Sequence, residues 1–174
     1  MENNKKSILS YGICGIIGVA ILTLLDQWTK HLAVIHLADQ EDIILIPGVF
    51  QLRYLENRGA AFGILQNQQW LFVVLTLAYL LAVVIIYFKI PRRKKYAALH
   101  IISIVLTAGA LGNFIDRIRL KYVVDFFYFS LIDFPIFNVA DIYVVVSFSI
   151  LVFCIIFVYK DEDLDFFTKT KQEK

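Results

Sequence analysis

The sequence predicts an all-α polytopic membrane protein: four transmembrane helices with a small extracytoplasmic β element on the outer face. Three observations predict it. The chain has 174 residues, 59% hydrophobic and 18% charged, against roughly 45–50% and 25% in an average soluble domain. It contains four apolar runs of bilayer length. Its basic residues gather on one side of the topology that those runs define. The mean hydropathy is +0.70, and the length suits a single domain.

The four runs are residues 8–25, 70–88, 97–115 and 142–159. No Asp, Glu, Lys or Arg falls inside any of them, and the third is broken only by His100 and Asn113. A span needs roughly 20 mostly apolar residues at about 1.5 Å of rise each, so all four qualify. The first run exceeds the roughly 7–15 residues of a signal-peptide core, and "DQWTK" follows it where a cleavage site would need small residues. It is expected to be a retained helix. Residues 160–174 form a polar tail that is expected to fray. Cys14 and Cys154 lie within the runs and read as small buried hydrophobes, which excludes a disulfide scaffold.

Four spans put both termini and the loop near residues 89–96 on one side. That side holds "PRRKK" at 91–95 together with Lys5, Lys6, Lys89, Lys160 and the lysines of the tail. The other side holds fewer basic residues: Lys30, Arg53, Arg58, Arg117, Arg119 and Lys121. Short basic loops stay in the cytoplasm, so both termini are expected there. The opposite face receives residues 26–69 and 116–141. A net charge of +2 is too small to suggest a nucleic-acid partner.

On that face, "DIILIPGVFQLRYLEN" (42–57) reads as strand, Pro-Gly turn and strand. Phe50, Leu52 and Tyr54 alternate with Gln51 and Arg53, the period of a half-buried strand. The element is expected to lie on the membrane surface. "RGAAFG" (58–63) follows, and its small residues, Gly59 among them, permit close backbone approach.

Polar residues near the spans are costly and need partners. Asp26 and Lys30 are four apart at the outer end of the first span, as either a self-neutralising ion pair or support for a site. Asn113, Asp116 and Arg117 close the third span, where Ala108 and Gly112 permit close helix packing. Asp116 and Arg117 are sequence neighbours, so each needs a partner elsewhere. Asn57 ends the second strand, where turn chemistry alone could explain it.

Three aspartates then recur at eight-residue spacing: Asp125, Asp133 and Asp141. Asp133 precedes "FP" and reads as a turn residue. Asp125 sits within "VVDFF", with no local reason to be there. Asn138 and Asp141 fit a capping box for the fourth span, so Asp141 is open between helix cap and catalyst. No metal-ligand spacing, nucleophile elbow or phosphate loop is present to suggest a metal or cofactor. Paired carboxylates are what remains. Two held close in an apolar pocket share one proton, so one can activate water while the other polarises a carbonyl.

Five strings in order, "DQWTK" (26–30), "ENRGAAFG" (56–63), "GALGNFIDR" (109–117), "VVDF" (123–126) and "FNVAD" (137–141), resemble the lipoprotein signal peptidase (signal peptidase II) family. The resemblance implies an aspartic endopeptidase that removes signal peptides from diacylglyceryl-modified bacterial prolipoproteins, cutting just before the lipidated cysteine. It implies Asp125 and Asp141 as the catalytic pair. Asn57, Asn113 and Arg117 match positions that line the site. Asp26 and Lys30 match the polar end of the first helix, and Asn138 and Ala140 frame the second aspartate. Gly59 and Asp116 join this supporting set through their strings. The 42–57 element matches the family's β-cradle. Expected partners are the prolipoprotein and membrane lipids, with no cofactor and no metal. A monomer in the bacterial cell membrane is expected, its active site at the outer face. Two other classes remain in view: a proton-coupled transporter using the aspartates as a relay, and a non-catalytic assembly factor in which they are caps and ion pairs.

Overall fold

A computed structural model describes residues 2–59 and 68–167. Four long helices dominate: α1 (Glu2–Leu37), α2 (Gln69–Lys89), α3 (Ala97–Leu120) and α4 (Val139–Phe153), the last continued by a wider π turn over Cys154–Val158. Each supplies a segment long and apolar enough to cross a membrane: Ile8–Leu37, Trp70–Lys89, Lys94–Leu120 and Val139–Val158. Large apolar side chains such as Ile16, Leu24, Leu81, Val145 and Phe148 point outward. In water they would drive aggregation, whereas in a bilayer they meet lipid tails. Trp28 and Trp70 are exposed near the ends of α1 and α2 that face the sheet, the depth at which amphipathic rings prefer to sit.

The first helix outruns its apolar stretch, continuing through "DQWTK" to Leu37. It can do so because Asp26 and Lys30 turn inward and pair at 3.0 Å across one helical turn. Central α3 packs against α1, α2 and α4. Ala108 and Gly112 are buried on α3, Gly112 against Asp26 of α1 and Ala140 of α4, and Gly109 lies between them. A β-carbon at Gly109 would stand 2.6 Å from the Ala140 carbonyl oxygen, so α4 could not pack at this distance. Gly109→Ala should therefore destabilise the protein by roughly 1–3 kcal/mol, the usual range for overpacking. A melting temperature equal to wild type would show that the helices separate at little cost.

Three antiparallel strands form one sheet in the order β1 (Ile43–Ile46), β2 (Phe50–Asn57) and β3 (Val123–Tyr128). The first two are the expected hairpin, turning through Gly48 at φ +70. The third, "VVDFFY", adds a strand beyond the expected hairpin. Its β-branched and aromatic residues favour that state. Leu52 and Tyr54 on the sheet pack with Ala33, Leu37, Val124 and Phe126, laying it across the end of α1. Register then fixes the chemistry, because Leu55 faces Asp125 and Asn57 faces Val123.

At the opposite end, Tyr96, Leu99, Ile102, Cys154 and Tyr159 form a second core. Here two expectations are corrected. The first part of the tail is docked, not frayed: α5 (Asp161–Leu164) and the turn after it bring Leu164 and Phe166 onto that core. The Phe166 ring meets Tyr96 edge-on at 5.7 Å, while Tyr96 stacks on Tyr159 at 5.8 Å. Aromatic burial offsets the polarity of the segment. Cys154 is buried as expected, but Cys14 is exposed on α1, since a thiol costs little against lipid. Residues 60–63 of the "RGAAFG" string and 168–174 of the tail lie outside the described residues.

Candidate active site

The start of α4 organises the site. Asn138 caps the helix: its Oδ1 accepts from the Asp141 backbone N–H at 3.0 Å, and Asp141 Oδ2 accepts from the Asn138 N–H at 3.1 Å. The capping box therefore exists and engages one carboxylate oxygen of Asp141. The other, Oδ1, accepts from Asn113 Nδ2 at 2.8 Å. A further open N–H of the first turn, that of Ala140, donates to Asp26 Oδ1 at 2.8 Å. An aspartate of α1 thus completes the N-terminus of α4, where negative charge is favoured.

Asp125 reaches the same place from β3 and is 1% exposed. Its Oδ1 accepts from Asn138 Nδ2 at 2.6 Å and its Oδ2 from Asn57 Nδ2 at 2.8 Å. Three asparagines therefore turn their amide N–H groups toward two carboxylates. Each is held in that orientation by a donor at its carbonyl end. Gly59 N–H serves Asn57 at 3.0 Å, Lys30 Nζ serves Asn113 at 2.8 Å, and the Asp141 N–H serves Asn138. Asn138 bridges the two aspartates directly.

Beneath them lies a buried charge cluster. Lys30 Nζ stands 3.0 Å from Asp26 Oδ2 and 3.0 Å from Asp116 Oδ2, with all three side chains almost fully buried. The expected Asp26–Lys30 pair is thus half of a triad joining α1 to α3. Asp116 also accepts the Val124 N–H at 3.2 Å, which ties α3 to β3 just before Asp125. Sequence reasoning missed Gln27, whose Nε2 donates to Asp116 Oδ1 at 2.9 Å and to the Gly112 carbonyl at 3.2 Å. Its position beside Asp26 was the available signal. Arg117 finds a different environment from its neighbour: its guanidinium lies 4.6 Å from the centre of the Phe72 ring.

Asp125, Asp141, Asn57, Asn113 and Arg117 all border one cavity of about 430 Å³. Its other wall is apolar, made by Phe134–Phe137 and by Ile142, Val145 and Val146 of α4. Those wall residues were also missed, because an apolar stretch beside a span reads as lipid contact. Asp133 is apart, in a left-handed turn at φ 48, where it accepts from the Tyr128 hydroxyl. Burial, and after it the negative charge of Asp141, pushes the Asp125 carboxyl up to about 7, against the Asn57 and Asn138 hydrogen bonds. Near neutral pH the pair therefore has Asp125 partly protonated, beside a cavity large enough for a peptide segment. It can accept a proton from water and donate a hydrogen bond to a carbonyl at once. Among the described residues, no group of three or more His, Cys, Asp or Glu side chains could hold a metal ion.

Residues 18–157 match the family model described as signal peptidase (SPase) II. A lipoprotein signal peptidase of Streptococcus thermophilus (strain CNRZ 1066) is 46% identical over 149 residues, covering 84% of this chain and 94% of that one. One from Streptococcus pyogenes serotype M5 (strain Manfredo) is 41% identical over 148 residues, covering 85% and 94%. Two solved bacterial membrane enzyme structures, obtained by the in meso method, share the architecture. One, at 2.3 Å resolution, is 27% identical with a TM-score of 0.71, covering 92% of this chain and 94% of its own. The other, at 1.9 Å, is 30% identical with a TM-score of 0.72, covering 84% and 94%.

Proposed function

The chain belongs to the signal peptidase II family and is a multi-pass membrane peptidase acting on lipoprotein precursors, and on that premise we propose that Asp125 and Asp141 are its catalytic pair. The observation that carries this reading is their meeting, from β3 and α4, on one cavity with Asn138 bonded to both. The substrate is a prolipoprotein whose cysteine already bears diacylglycerol, and the bond cut lies just before that cysteine. The apolar wall of Ile142, Val145 and Val146, partly exposed on α4, suits a substrate arriving sideways from lipid.

Roles within the pair follow from their settings. Asp141 lies in the first turn of α4, at the positive end of the helix dipole, with its Oδ2 accepting the Asn138 N–H. It takes a proton from water as the oxygen attacks the scissile carbonyl. Asp125 carries the shared proton and hydrogen-bonds the developing oxyanion. As the tetrahedral intermediate collapses, the C–N bond breaks and the proton gained by Asp141 passes to the leaving amine. Arg117, Asn113 and Asn57 position the peptide backbone. Asp26, Lys30, Asp116, Gly59 and Ala140 hold that set in place.

The basic residues at the end opposite the sheet support an orientation with both termini in the cytoplasm and the site at the outer face of the bacterial cell membrane. The active unit is a monomer, because one chain supplies both aspartates.

Two measurements test this reading. Purified protein given matched precursor peptides, with and without diacylglycerol on the cysteine, should release a product that begins at the lipidated cysteine. Equal cleavage of the unlipidated peptide, or a cut elsewhere, would refute the substrate assignment. The acid role of Asp125 fixes the sign of the pH dependence. Its carboxyl sits near 7 and must be protonated, so kcat/KM should fall as pH rises through that region. The limb belongs to the coupled pair. A rate still climbing at pH 8 would reverse the roles of the two aspartates.

A further inference from the structure

A second cavity lies away from the active site, on the flank of the bundle toward its basic end. It holds about 350 Å³ between α1, α2 and α3. Gly12 and Gly15 of α1, Val84 and Phe88 of α2, and Ser103 and Thr107 of α3 line it, and Ala20 stands at its deeper end. Gly12 and Gly15 let the Phe88 and Tyr87 rings lie close against α1, and Ile16, Val19 and Ala20 complete an apolar α1 wall. The hydroxyls that line it are already committed, Ser103 to the Leu99 carbonyl at 2.8 Å, Thr107 to the Ser103 carbonyl at 2.6 Å and Tyr87 to the Tyr11 carbonyl at 2.8 Å. What fills the groove must therefore be hydrocarbon, since an empty slot forfeits dispersion contacts along its whole lining.

The shallow end of the groove meets strong positive charge. Arg92 Nη2 donates to the carbonyl of Phe88, a groove residue, at 3.4 Å. That bond holds the guanidinium beside the last groove residue of α2. Its sequence neighbours Lys89, Arg93 and Lys94 are exposed. Lys95 is drawn away by Asp163, 2.6 Å from its Nζ. An apolar slot under a cationic rim at headgroup depth is complementary to an anionic lipid. A second copy of the chain is disfavoured there, because it would bring the same basic loop to the same depth.

We propose that this groove binds one anionic phospholipid, its acyl chain in the slot and its phosphate at Arg92 and Arg93. The site is independent of the aspartate pair and of the membrane orientation argued above.

The test uses the full chain in nanodiscs containing phosphatidylglycerol with a photoreactive group on its acyl chain, or the matching phosphatidylcholine. Phosphatidylglycerol should label residues 12–20 and 83–88 roughly 10- to 30-fold more than phosphatidylcholine, the effect of two basic residues at the surface. The double variant Arg92→Ala/Arg93→Ala should lower labelling to the phosphatidylcholine level. Ala20→Trp, which fills the slot, should abolish it while precursor cleavage is unchanged. Equal labelling by the two lipids in wild-type protein, labels concentrated outside the groove, or cross-linked dimers through these helices would each overturn the proposal. The wild-type comparison decides it even if a variant fails to fold.

Discussion

Asp125→Asn and Asp141→Asn, made separately, should each lower prolipoprotein cleavage by about 100-fold or more, the range of a lost general acid or base. The pair works as one unit, so the double variant should be no slower than the worse single one. Both oxygens of each carboxylate accept N–H groups, so an amide in either place sets one N–H against another. The cost is roughly 1–3 kcal/mol for the mismatched donor. Activity should therefore be read beside a melting curve in the same membrane mimic. Asp133→Asn is the matched control, since among the described residues that carboxylate accepts only the Tyr128 hydroxyl at the surface turn, and its cleavage rate should equal wild type. A folded Asp125→Asn or Asp141→Asn protein that cleaves at the wild-type rate would end the dyad reading. It would return the aspartates to caps and ion pairs.

Lys30→Met should damage the fold more than any single change in the pair. It would leave Asp26 and Asp116 facing each other without a cation in a site that is 0–4% exposed. Breaking a buried pair by removing one partner costs about 3–5 kcal/mol. The loss would spread, because Asp26 also receives the Ala140 N–H, Asp116 the Val124 N–H, and Asn113 the Lys30 ammonium itself. Neutralising the two acids in the same background, as Lys30→Met/Asp26→Asn/Asp116→Asn, should recover part of the stability. Activity should stay low, since Asn113 would no longer be fixed at its carbonyl end. Equal stability of Lys30→Met and the triple variant would show that uncompensated charge is not the source of the damage.

Much of this was legible in the sequence, for identifiable reasons. The spans announce themselves because hydrocarbon solvent allows no alternation of polar and apolar faces, and the first hairpin because Gly48 and the 50–54 alternation are local signals. Asp26, Lys30, Asn57, Asn113, Asp116, Arg117, Asn138 and the two aspartates stood out as polar residues in apolar surroundings, and the fold gathers them. What stayed hidden was long-range. That "VVDFFY" pairs with β2 depends on a register between residues far apart in the chain. Gln27 looked like an ordinary helix residue until Asp116 came beside it. Gly109 became a constraint only when the Ala140 carbonyl arrived against it. The docking of Leu164 and Phe166 was masked by the acidic residues around them.

The capping box at Asn138 sets a limit on how this protein can be redesigned. Serine is as good a helix cap as asparagine, so a stability-guided search would accept Asn138→Ser as neutral for α4. Serine has no second arm, however, and the 2.6 Å bond from Nδ2 to Asp125 would vanish with the amide. Asp125, the Asn113 carbonyl oxygen and the Val124 carbonyl would each lose a buried donor although the cap survives. On the proposed dyad, a library scored on α4 capping alone would fill with well-capped, inert proteins.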